Sequence, residues 1–88
     1  MKVKEGLVLR YVDGMPFVVA LGELSAKFNG MISLNETGAV LWKALTTDTD
    51  VQTLVDVLQA EYQVDAETAQ KDVTAFLSVL REAKFLEE

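Results

Sequence analysis

The spacing of hydrophobic positions changes character about one third of the way along the chain. Residues 7–12 (LVLRYV) and 17–21 (FVVAL) are rich in β-branched and apolar side chains, and Asp13-Gly14 with Met15-Pro16 between them supplies turn chemistry, so the two runs predict a hairpin. Gly22-Glu23 and Asn29-Gly30 are further turn signals, and residues 25–28 between them read equally as a short strand or as loop. Residues 31–34 (MISL) form a third expected strand. From there on the apolar positions recur at helical spacing, predicting helices over 36–45, 50–62 and 66–83.

Each helix has a start signal. Asn35 reads as the first N-cap, followed by Glu36 where the helix dipole favours an anion, with Leu34 and Ala39 placed as a hydrophobic staple. Gly38 leaves room for another backbone to approach. Thr49, with Gln52 three residues on, has capping-box spacing for the second helix, whose apolar face is Val51, Leu54, Val55, Leu58 and Tyr62. Asp65 is the expected third cap, with Val64 and Ala69 as its staple. The third helix carries a stripe through Ala69, Val73, Phe76, Leu77 and Leu80. Asp72 lies on one flank of that stripe with Ala75 and Val79, and the flank widens the apolar arc to about 160°, where about 100° would face a core.

About three short antiparallel strands cannot bury both faces unaided, so amphipathic helices must cover one side, which makes the fold class α+β. The 88 residues, half of them hydrophobic, suit one domain over 1–88. The chain has no apolar run of membrane-spanning length and no secretory signal pattern, and a free-standing cytoplasmic protein is expected. With no cysteine and no histidine, it lacks disulfides, thiolate nucleophiles, the side chain most used for proton transfer near neutral pH and the commonest transition-metal ligand. Neither a cofactor nor a metal is expected. Asp48 and Asp50 lie in a polar run between helices that reads as a connecting loop, and Trp42, beside Leu41 and Leu45, reads as a core anchor. Fourteen acidic residues against eight basic ones give a net charge of −6, a field that repels nucleic acid.

Leu34-Asn35-Glu36-Thr37-Gly38 followed by the bulky pair Leu41-Trp42 resembles the PqqD-like family, the peptide-binding modules also called RiPP recognition elements. Asp72, Val73, Phe76, Leu77 and Leu80, with a final Phe85-Leu86 pair, are similar to that family's C-terminal helix, so the resemblance spans nearly the whole chain. Family members commonly carry glycine after this helix, where this chain has Lys84. The resemblance implies a winged helix-turn-helix-like domain, an N-terminal sheet followed by a trihelical bundle. It also implies a function: the leader segment of a ribosomally made precursor peptide adds as a strand to Met31, Ile32, Ser33 and Leu34. That segment would pack on a helix wall of Asp72, Val73, Phe76, Leu77, Val79 and Leu80, for presentation to a modifying enzyme such as a radical or cyclising enzyme. Alternation puts only half of the strand side chains toward such a groove, and the sequence leaves open which half.

Two other classes compete. A winged-helix DNA-binding regulator needs a basic recognition helix, yet the third helix sets Lys71 and Arg81 against Glu67, Asp72 and Glu82, a net charge of −1. A small scaffold that oligomerises through the same edge strand is the blander alternative.

Overall fold

Asp13 and Gly14 both adopt left-handed backbone, with φ of 52° and 78°, and this type I′ geometry matches the twist of the strands it joins. In the computed structural model, which describes residues 1–27 and 31–88, that turn closes β2 (Leu7–Val12) onto β3 (Met15–Ala20), after a short β1 (Lys2–Val3). The second strand of the hairpin therefore begins two residues before the expected start and includes Pro16. Proline is tolerated there because Pro16 lies beyond the end of the next strand, and its carbonyl still accepts the Leu34 N–H at 3.0 Å. A 3₁₀ turn (Gly22–Ala26) occupies the start of the ambiguous segment, and Phe28 and the expected turn at Asn29-Gly30 lie outside the described residues. β4 (Met31–Ser33) completes an antiparallel sheet of order β2-β3-β4, with Val18 opposite Ile32.

Three helices follow, α1 (Glu36–Ala44), α2 (Val51–Glu61) and α3 (Ala66–Glu82), within a residue or so of their expected bounds. Asn35 and Asp65 cap as expected, each side chain accepting the backbone N–H three residues on. The second cap is Asp50 rather than Thr49: Asp50 Oδ1 accepts the Thr53 N–H at 2.8 Å, while the Thr49 N–H is spent on the Met1 carbonyl. A carboxylate is the stronger acceptor against the positive end of a helix, and the shift leaves Gln52 bonded to Asp56 instead of to a cap. Asp48 pairs with the Met1 amino group, so both aspartates of this loop have structural partners.

One core runs between the sheet and the helices. Trp42, Leu41, Leu45, Leu54, Leu58, Val73, Leu77 and Leu80 are all at most 1% exposed, and Trp42 meets Phe85 edge-on with ring centroids 6.3 Å apart. Phe85 arrives there because the chain leaves α3 through Lys84 at φ 62°, the left-handed position glycine usually fills. The tail then adds an element the sequence did not announce: β5 (Leu86–Glu87) pairs antiparallel with β1, Val3 opposite Leu86.

Lys84→Gly should raise stability by about 0.5–1 kcal/mol in chemical denaturation, because it removes the cost of a left-handed side chain without touching a buried group. Acid should unfold the protein partly through its caps. The Thr53 backbone N–H, then its hydroxyl, holds the Asp50 carboxyl below its ordinary range, and Thr68 does the same for Asp65. A carboxyl depressed by folding contributes stability above its unfolded pKa and loses it as pH falls through the folded value. Asp50→Asn and Asp65→Asn should therefore flatten the acid limb of a stability–pH curve while leaving the neutral limb unchanged in slope.

Candidate functional site

The site is organised where β4 runs into α1. Leu34 and Ala39 are both buried, and Asn35 Oδ1 accepts from the Gly38 N–H at 2.7 Å and from Thr37 Oγ1 at 3.1 Å. The space that Gly38 leaves is taken by side chains rather than by the backbone expected there. A Cβ there would sit 3.0 Å from Asn35 Oδ1, 3.1 Å from Phe76 Cε1 and 3.5 Å from Leu34 Cβ. Glycine at 38 thus lets the first turn of α1 rest directly on the α3 ring.

β4 is an edge strand with β3 on one side. The two-residue hairpin makes Val12–Met15 a hydrogen-bonded pair, so Phe17 and Val19 also turn their main-chain groups to β2, while Val18 turns its groups to Ile32. The N–H and C=O of Met31 and Ser33 consequently point to the open side. Their side chains and that of Ile32 lie on opposite faces of the sheet: Ile32 packs toward the core with Leu34, while Met31, 58% exposed, and Ser33 face outward.

The expected helix wall divides in two. Val73, Leu77 and Leu80 are core residues, whereas Asp72, Phe76 and Val79 line a cavity of about 390 Å³ with Ala75, Asn35, Thr37, Gly38 and Leu41. Val79 is 52% exposed at its rim, and Asp72 is the one ionisable group among the lining residues. Reading from α3 alone found the flank but missed the α1 side, Asn35, Thr37, Gly38 and Leu41, although all four belong to the motif that carried the family resemblance. A second cavity, about 510 Å³, lies on the other flank of α1 against the hairpin, lined by Tyr11, Met15, Pro16, Val40 and Lys43 among others. The outward sheet face carries Val8, Val12, Met15, Phe17, Val19 and Met31 around a single charge, Arg10. Among the described residues no three histidine, cysteine, aspartate or glutamate side chains group as a metal would need, and no helix is long and apolar enough to cross a membrane.

The arrangement has known counterparts. The family model described as coenzyme PQQ synthesis protein D (PqqD) matches residues 6–86, and the chain belongs to that family. A solved structure described as TbiB1 in complex with the TbiA(beta) leader peptide superposes with a TM-score of 0.77 at 26% identity, over 99% of this chain and 95% of that one. Its winged-helix-like fold agrees with the expectation for this chain. A comparison with curated proteins finds no match.

The contact at Gly38 predicts a specific coupling. Gly38→Ala should destabilise the protein by about 1 kcal/mol despite the better helix former, because overpacking exceeds the propensity gain. In a Phe76→Ala background the same change should cost less, by about 0.5–1 kcal/mol in a double-mutant cycle; additive effects would mean that the ring does not limit the site.

Proposed function

We propose that this protein binds the leader segment of a ribosomally synthesised precursor peptide by strand addition at β4 and presents it to a peptide-modifying enzyme. The observation that carries the reading is the open edge of β4 beside the α1–α3 cavity, in a chain of the PqqD family whose fold matches a leader-bound relative. Met31 and Ser33 offer two N–H and two C=O groups to an incoming strand, each bond worth about 0.5–1.5 kcal/mol. Asp72, Phe76 and Val79 meet the peptide side chains that alternate toward the cavity. Val73, Leu77, Leu80, Ile32 and Leu34 hold those residues in place from the core side. Ordering a flexible peptide offsets much of the gain, which puts affinity in the submicromolar to micromolar range, roughly −8 kcal/mol.

The chain acts as one unit over 1–88, in the cytoplasm, without cofactor or chemistry of its own. With neither histidine nor cysteine, its contribution is to position a substrate for an enzyme such as a radical or cyclising enzyme. The apolar outward sheet face, continuous with a strand added at β4, is suited to contact that enzyme. Regulation through DNA fits poorly with an α3 of net charge −1 on a chain of −6.

Isothermal titration with a candidate precursor leader peptide tests the reading. Ser33→Pro should weaken binding about tenfold or more with the fold intact by circular dichroism, since its N–H faces the open side. Ile32→Pro should instead damage folding, because Ile32 bonds to Val18. Val79→Asp should abolish binding in a folded protein by placing a charge against an apolar ligand. Unaltered affinity in folded Ser33→Pro and Val79→Asp variants would remove the site from β4 and α3, and tight, salt-sensitive DNA binding without peptide affinity would favour the regulator.

A further inference from the structure

The three-stranded sheet has two edges, and the peptide reading uses only the shorter. β2, at the other edge, is six residues long, and its one protection against pairing is Arg10 on the outward face: it has no proline, no lysine, no bulge, and no charge on its inward face. The direction of its main-chain groups follows from its neighbours. The Gly6 carbonyl accepts from Leu21 on the β3 side at 2.7 Å, Val12 pairs with Met15 across the turn, and Tyr11 stands opposite Pro16, which has no N–H to give. Val8, Arg10 and Val12 therefore bond toward β3, and Leu7, Leu9 and Tyr11 point away from it. The Leu7 N–H is taken by the Lys4 carbonyl at 3.4 Å, and the remaining outward groups, the Leu7 C=O and both groups of Leu9 and Tyr11, have no hydrogen-bond partner among the described residues.

We infer that β2 pairs with β2 of a second copy of this chain, antiparallel about a two-fold axis at Leu9, joining two sheets into one of six strands with a β4 edge open at each end. The register follows from the residues. Only an axis at Leu9 aligns all three outward-pointing positions, Leu9 with its own copy and Leu7 with Tyr11 in both directions, giving four new main-chain bonds after the engaged Leu7 N–H is left out. An axis at Arg10 would set Arg10 against itself at the close, non-bonded spacing, and one at Val8 would strand Tyr11 beyond the paired segment. About Leu9, Arg10 falls opposite Val8 of the copy, and the inward row is apolar throughout. Tyr11, 53% exposed in the single chain, then lies beside Leu7 of the copy.

Charge does not drive the pairing: the one charge in each strand is Arg10, and about Leu9 the two copies of Arg10 fall as diagonal neighbours on the outward face. Leu7–Val12 holds no acidic residue in a chain with fourteen, so the paired segments bring no carboxylates together. Glu5 opposite Asp13 at each end, and a net charge of −6 on each copy, repel. Association is accordingly weak, roughly tens to hundreds of micromolar, and strengthens as salt screens the repulsion.

Sedimentation velocity on the full chain without any peptide tests this, so the result stands apart from the peptide reading, which titration decides. A monomer–dimer equilibrium that tightens with added salt is expected, and Tyr11→Pro, removing two of the four bonds, should weaken it roughly thirtyfold. Because the chain has no cysteine, introduced thiols report register directly. Val8→Cys and Arg10→Cys variants should each fail to cross-link alone and form a disulfide-linked dimer only when mixed, also where Tyr11→Pro proves unfolded. A protein monomeric into the millimolar range, a dimer untouched by Tyr11→Pro in folded protein, or a mixture that does not cross-link preferentially would overturn the inference.

Discussion

The close approach at Gly38 is the contact on which the rest of the site depends. Asn35 must turn its side chain back onto the start of α1, Leu34 must drop into the core immediately after β4, and Phe76 must reach across from α3, all within 3.5 Å of a single missing side chain. Backbone can be brought this near a ring only where no Cβ intervenes, and the result fixes how closely α3 sits against the junction of β4 and α1. A groove between two elements is only as precise as the contact that holds them apart. Here that contact is main chain against aromatic ring, stiffer than two long side chains meeting.

α3 serves two surfaces at once. Its stripe of Val73, Leu77 and Leu80 is spent on the core, and the flank of Asp72, Phe76 and Val79 is left over for the cavity, with Phe76 half-buried on the boundary. An apolar arc wider than a core requires is otherwise a cost in solvent, so the surplus is the part of the helix that points to binding. The sheet shows the same division. Its inward row of Leu7, Val18 and Leu34 is buried, while its outward row keeps Val12, Met15 and Met31 exposed around Arg10.

Periodicity and caps made most of this legible in the sequence, because they report local energetics that the fold does not override. Asn35 and Asp65 cap as their chemistry dictates, and the Asp13-Gly14 turn closes the hairpin. What escaped depended on contacts distant in sequence. The pairing of β1 with β5 joins Lys2 and Val3 to Leu86 and Glu87, and two-residue strands have no period to read. Asp50, not Thr49, caps α2, and the Thr49 N–H is instead tied to the Met1 carbonyl, nearly fifty positions away. Pro16 looked like punctuation until the sheet showed that its missing N–H falls beyond the end of β4. Within the site, the strand residues and the α3 flank could be named, but the α1 side of the cavity needed the packing angle between two helices, which no single-helix pattern contains.

A chain with no histidine and no cysteine has main-chain groups, apolar surface and scattered carboxylates to work with, and its geometry uses the first two. In the proposed complex, main-chain bonds at Met31 and Ser33 would be blind to side-chain identity, while the cavity at Phe76 and Val79 would select by shape. Separating the two would let one small domain hold a peptide and still release it, since neither contribution alone exceeds a few kcal/mol. The six-residue edge of β2 is the consequence on the far side of the same sheet. A strand long enough to support β3, and so to position β4, exposes an edge of its own.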